Sequence, residues 1–142
     1  MPTRREIGYE EGRRLVGAVG DRLVSEGLGA AVAVVDAHGE LVAFLRTEGC
    51  PLPSIKIAMA KAFTAARERK ESRALGDAAR AEDFPLTNYG EIGYVGWGGG
   101  VPLIVDDEVI GAIGISGLPE EEDMKLARWA TGTVSQSHAS TE

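Results

Sequence analysis

The chain has one cysteine, Cys50, and two histidines, His38 and His138, so metal-type ligands are scarce. A single thiol cannot close an intramolecular disulfide, and it suits a reducing compartment. One histidine lies in a turn and the other near the C-terminus, with no HxxxH or paired-cysteine spacing. No metal set is therefore expected, and a Ser-His-Asp catalytic group finds no support. No apolar run approaches the roughly 20 residues of a membrane helix. The N-terminal MPTRREIGYEEG has arginines but no apolar stretch behind them, so no secretory signal is read there. Positive charge is also short, with 15 Lys and Arg against 22 Asp and Glu for a net charge of −7. That argues against nucleic acid and membrane partners, which call for clustered Lys and Arg. The one basic run, RERKESR at 67–73, reads as a solvated helix end. A cytoplasmic globular protein is what these absences leave.

Glycine is plentiful, and it crowds one stretch. In GWGGGVPLIVDDEVIGAIGISG, residues 96–117, two β-branched runs flank an acidic tip at Asp106 and Asp107. This reads as a β-hairpin with strands at 101–105 and 109–115. Glycine weakens a strand unless something approaches its backbone closely. A packed helix, a second subunit or a ligand would each satisfy that. A phosphate cradle at Gly98, Gly99 and Gly100 is discounted, since the run lacks the Lys-Ser/Thr ending and leads into a strand.

Upstream, residues 8–26 show the four-residue spacing of a helix, with Leu15, Val19 and Leu23 on one face. Gly12, Gly17 and Gly20 on that helix suggest close packing against a neighbour, and Gly27 supplies its stop. Residues 30–37 and 41–46 form a first hairpin around the turn DAHGE. The first of these strands is apolar on both faces, so it is expected to be covered on both sides. Ser54 is read as the cap of an alanine-rich helix over 55–69, followed by a short helix over 72–81. Residues 82–100 form a long irregular segment, a kind that is often functional. Pro119 and four acids start a last helix running to about Thr133. The expected architecture is α+β, with helices and strands in the order α-β-β-α-α-β-β-α and one antiparallel sheet built from two hairpins. Residues 1–134 are expected to form a single domain and 135–142 a disordered polar tail.

Three stretches in this order resemble the GlcG/HbpS family, also known as the C-terminal domain of PduO-type proteins. They are VAVVDAHGELVAFLR, PLPSIKIAMAKAFTA and GGGVPLIVDDEVIGAIGISG with PEEED. The resemblance implies a profilin-like three-layer α/β/α arrangement and frequent homo-oligomers. It also implies a small organic ligand, with haem as a cofactor in some members.

Several residues are candidates for chemistry. Lys61 lies in an apolar helical run and matches the family lysine. It reads either as an ion-paired, snorkelling side chain or as an ammonium that binds an anion or carbonyl. Thr64 shares its face and adds a hydroxyl, or bonds back to its own helix. Asn88, Tyr89, Glu91, Tyr94 and Trp97 gather in the glycine-rich loop. There they form a ligand wall with a proton-transfer acid, or an oligomer contact. In an enzyme (a lyase, isomerase or hydratase), Lys61 would hold the substrate while Glu91 or Tyr94 moved a proton. A ligand-binding protein would use Lys61, Thr64 and the 88–97 loop as its pocket, and a structural module would need none of these roles. For haem, His38 is the best histidine candidate, and Cys50-Pro51 is a weak dipeptide signal.

Overall fold

The computed structural model describes residues 5–139, and side chains as far as Val134. The elements follow the predicted order: α1 (Tyr9–Ser25), β1 (Ala31–Asp36), β2 (Leu41–Arg46), α2 (Pro53–Glu68), α3 (Ser72–Ala81), a 3-10 turn (Leu86–Tyr89), β3 (Gly100–Val105), β4 (Glu108–Ser116) and α4 (Glu120–Ala139). The four strands form one antiparallel sheet in the order β2-β1-β4-β3. Each hairpin contributes one edge strand and one central strand, and the two central strands pair from Ala31 with Ser116 to Asp36 with Gly111. Helices α1 and α4 cover one face of the sheet, and α2 covers the other with α3 beside it.

Alternation along the strands explains the layering. Val32 and Val34 of β1, Val101 and Leu103 of β3, and Ile113 and Ile115 of β4 face α1 and α4. Ala31, Ala33 and Val35 of β1 and Ala112 of β4 face the opposite way, towards Ala58, Ala62, Ala65 and Ala66 of α2. A strand that is apolar at every position must be buried on both sides, and β1 is.

Local signals account for most boundaries. Gly27 adopts φ +68°, Gly27 N–H donates to Val24 O, and Leu28 N–H donates to Leu23 O. These bonds form a Schellman stop, as Gly27 predicts. Asp106 and Asp107 both take positive φ, the two-residue turn that suits a twisted hairpin. Close approach explains Gly12, which packs on Val42, and Gly20, which packs on Leu45, whereas Gly17 faces open space.

Two expectations are corrected. Ser54 does not cap α2: the helix starts at Pro53, and Ser54 is buried inside its first turn. The fixed φ of Pro53 preorganises that start, and no side chain caps it. The last helix continues to Ala139, beyond Thr133, with the Thr131 and Thr133 hydroxyls donating back to Arg128 O and Ala130 O within it. The end of the predicted tail, residues 140–142, and the side chain of His138 lie outside the described residues. Among the described residues, no helix is long and apolar enough to cross a membrane.

Candidate functional site

Lys61 projects from α2 past the edge of the alanine layer and is 3% exposed. Its ammonium donates to Ile115 O at 2.8 Å and to Asp123 Oδ2 at 3.2 Å. Asp123, in the first turn of α4 and 2% exposed, also accepts the Leu118 N–H at Oδ1. One buried ion pair thus ties α2, the end of β4 and α4 together. Burial disfavours both charges. It pushes the Asp123 carboxyl up to about 6, against the pull of Lys61, and it lowers Lys61 despite Asp123.

Thr64, one turn on, is fully buried. Its hydroxyl donates to Ala60 O at 2.7 Å and accepts the Val95 N–H at 2.9 Å. Ser72 of α3 does the same further along: its hydroxyl donates to Trp97 O at 2.6 Å and accepts the Gly100 N–H at 2.9 Å. Glu120 receives the Gly98 N–H. The long segment before β3 is therefore pinned at several points, although it has little regular structure of its own.

In front of that segment, rings stand in a ladder. Phe84 packs edge-on to Tyr89, Tyr89 packs on Tyr94, and Tyr94 packs on Phe63 of α2, with centroids 5.7, 5.7 and 5.9 Å apart. Such tilted and edge-on arrangements suit the aromatic quadrupole. The Tyr94 hydroxyl donates to Glu68 Oε2 at 2.6 Å. Burial, with Glu68 beside it, pushes this phenol up to about 12.

Phe63 also floors a cleft of about 380 Å³ between α2, the first hairpin and the loop, lined by Val35, Leu41, Met59, Phe63, Glu40 and Glu91 among others. Its wall is mostly apolar, and the two carboxylates stand on it. Glu91 accepts the Gly93 N–H at 3.1 Å.

The structure therefore divides the predicted residues. Tyr94 packs on Phe63 with Tyr89 behind it, and Glu91 lines the cleft that Phe63 floors. Lys61 is not among the residues lining it. Thr64 serves as a loop anchor. Asn88 and Tyr89 lie in the 3-10 turn, and Trp97 is 58% exposed while its carbonyl is held. His38 is exposed in the first hairpin turn, its Nδ1 2.8 Å from Glu6 Oε1. Glu6, Asp36 and His38 bring potential metal donors within 4.8 Å of one another, a convergence that sequence spacing could not show. Asp36 Oδ1 there accepts the His38 and Glu40 N–H groups.

Sequence reasoning missed Asp123, Ser72, Met59 and Glu68. Asp123 was available in principle, since it shares the spacing of the buried Ala127, Ala130 and Val134 on α4.

Comparison with known proteins places this geometry. The family model described as "Haem degrading protein HbpS-like" matches residues 7–131. The chain belongs to the HbpS-like family. It is 31% identical over 128 residues to a 15.0 kDa protein from the dhaT-dhaS intergenic region of Citrobacter freundii, covering 87% of this chain and 89% of that one. It is 29% identical over 130 residues to the corrinoid adenosyltransferase PduO of Salmonella typhimurium, covering 90% of this chain but only 39% of that protein. Among solved structures, a PduOC:haem complex superposes with a TM-score of 0.81 at 29% identity, covering 89% of this chain and 94% of that one. The resemblance read from the three motifs is thereby borne out, as is the α+β fold.

Proposed function

We propose that this HbpS-like chain binds a planar, largely apolar organic ligand in the cleft beside Phe63, with haem as the first compound to test. The observation that carries the reading is the cleft itself: an apolar wall backed by a four-ring ladder and approached by one loop acid, Glu91. Ligand sites are concave, mostly apolar and marked by a few placed polar groups. The haem complex of a 29% identical domain supports the choice of compound.

The residues fit such a ring. Val35, Leu41 and Phe63 offer apolar contact, and the Met59 thioether is a donor of the type that holds haem iron. Bound haem would supply a redox-active iron. His38 is committed to Glu6 and does not line the cleft, so Met59 replaces it as the residue that would hold the iron. Glu91 forms part of the wall and Tyr94 backs it, while Lys61 and Thr64 hold the scaffold behind them. The exposed Trp97, and Ile92 at 98% exposure, are proposed to support self-association of the chain. The lone thiol fits a reducing compartment, so the cytoplasm is the proposed location.

Titration of haem into the apo-protein is expected to give a saturable Soret shift. Gly93→Leu should remove it while leaving the far-UV spectrum unchanged. A Cβ at Gly93 meets the flexible Glu91 carboxylate at 3.4 Å and the Phe63 ring at 3.6 Å, so the larger side chain can extend into the cleft without breaking the fold. Unsaturable haem binding, or full binding by the filled variant, would remove the reading.

A further inference from the structure

Arg67 follows Phe63 by one turn of α2, and its guanidinium carbon lies 5.1 Å from the centroid of the Phe63 ring. The ring that floors the cleft therefore also carries a cation at its margin. The glycine turn of the first hairpin closes the other side: a Cβ at Gly39 would meet both the Phe63 ring and Arg67 Cγ. One guanidinium N–H reaches towards His38 O at 3.5 Å, a long contact that leaves most of its donors uncommitted.

The arginines of α3 and α4 are paired differently. Arg73 contacts Asp77, Glu120 and Glu121, and Arg128 grips Glu71 through two nitrogens. Arg80 holds Asp77. Among the described residues, no carboxylate lies within ion-pair distance of Arg67, although the cleft beside it carries Glu40 and Glu91 and the chain as a whole is acidic. Glu68, its neighbour in sequence, is taken by Tyr94. A guanidinium held over an aromatic face, with its fork free, is suited to bidentate capture of a carboxylate.

We infer that the cleft selects a ligand bearing a carboxylate at its margin, which Arg67 binds while the ring packs on Phe63. This rests on the ligand-binding reading of the cleft and adds the chemical class of the ligand: an aromatic or tetrapyrrole acid rather than a neutral or cationic ring. Glu40 and Glu91 sharpen the selection, since they repel further acid groups at their own positions and so fix which way round the ligand enters.

The experiment compares haem with its dimethyl ester, which keeps the ring and iron but lacks the acids. Both are titrated into the wild-type protein and into Arg67→Met and Arg67→Lys. Arg67 is exposed, so neither change threatens the core. Arg67→Met is expected to weaken haem binding at least about 10-fold, the loss of a bidentate charge-assisted pair, and to leave the ester unchanged. Arg67→Lys, which keeps the charge and loses the fork, should recover part of that loss. Equal weakening of both probes, or no weakening of haem, overturns the role of Arg67 while the cleft reading stands. Failure of both probes to bind the wild-type protein overturns the cleft reading, and this inference with it.

Discussion

The two faces of the sheet are packed on opposite principles. On the α1 and α4 face, Val, Ile and Leu side chains interdigitate: Val32, Val34, Leu103, Ile113 and Ile115 meet Leu15, Val19 and Leu23. On the α2 face the layer is made of alanines, and backbone meets backbone. A Cβ at Gly114 would run into Ala58 O and Ala62 N, and one at Gly100 into Lys61 O. The buried polar side chains follow the same division. Ser54, Lys61, Thr64 and Ser72 sit on α2 and α3, and Asp123 reaches round from α4 to join them. Oily side chains can shift to absorb a change in shape, whereas close backbones cannot. The rigid face is where the pinned loop, the ladder and the cleft lie, which suits a site whose groups must be held in place.

Breaking the buried pair should have the largest effect. Lys61→Met leaves the Asp123 carboxylate buried without its cation, and the expected cost is about 3–5 kcal/mol, read from urea unfolding at pH 8. Adding Asp123→Asn should return most of that loss, because the orphaned charge is gone and the Leu118 N–H keeps an acceptor. A Lys61→Met protein as stable as wild type would show that the pair contributes nothing to the contrast between the faces.

Next in size is a paired test on neighbouring residues of β4 that point to opposite faces. Gly114→Ala drives a methyl into the α2 backbone, at a cost of about 3 kcal/mol. Ile113→Val removes one methylene from the side-chain core and should cost about 1 kcal/mol. Equal costs in the same unfolding assay would erase the distinction drawn between the faces.

Much of this plan could be read in the chain. The periodicity of α1, the two hairpins and the glycines of β4 all express local rules, and the close approach they imply is what α2 supplies. Lys61 was recognisable as unusual because it interrupts an alanine run. What it touches was not, because Asp123 is 62 positions away and hides in an acidic run that reads as helix-start chemistry. Glu91 and Lys61 share a sequence logic of loop acid and helix cation, yet Glu91 lines the cleft while Lys61 is buried against Asp123, which only the packing decides. The cleft escaped notice for a similar reason. Its floor, Phe63, and its wall, Met59, read from sequence as ordinary helix residues, and Glu40 of the first hairpin reads as part of a solvated turn.

The finest test of the contrast is pH. The α1 and α4 core is built of aliphatic side chains that do not titrate, so a titration inside the fold reports the other side. Asp123 moves from 3.8 to about 6, with burial as the main cause. Lys61 and the Leu118 N–H oppose the shift, and Glu120 adds to it. For an acid whose folded value is raised, the native state holds a proton between about 4 and about 6 that the unfolded chain has released. Stability from this group therefore falls as pH rises through that window, and the slope follows the excess of protons on the native state. The other carboxylates titrate in the same range, so the readout is the difference between wild type and Asp123→Asn, measured by urea unfolding from pH 4 to 8. That difference should decline by about 2 kcal/mol between pH 4 and 6 and level off above 7. A difference that stays flat would mean that Asp123 titrates alike in both states. The α2 side would then be no more sensitive to protons than the aliphatic core behind it.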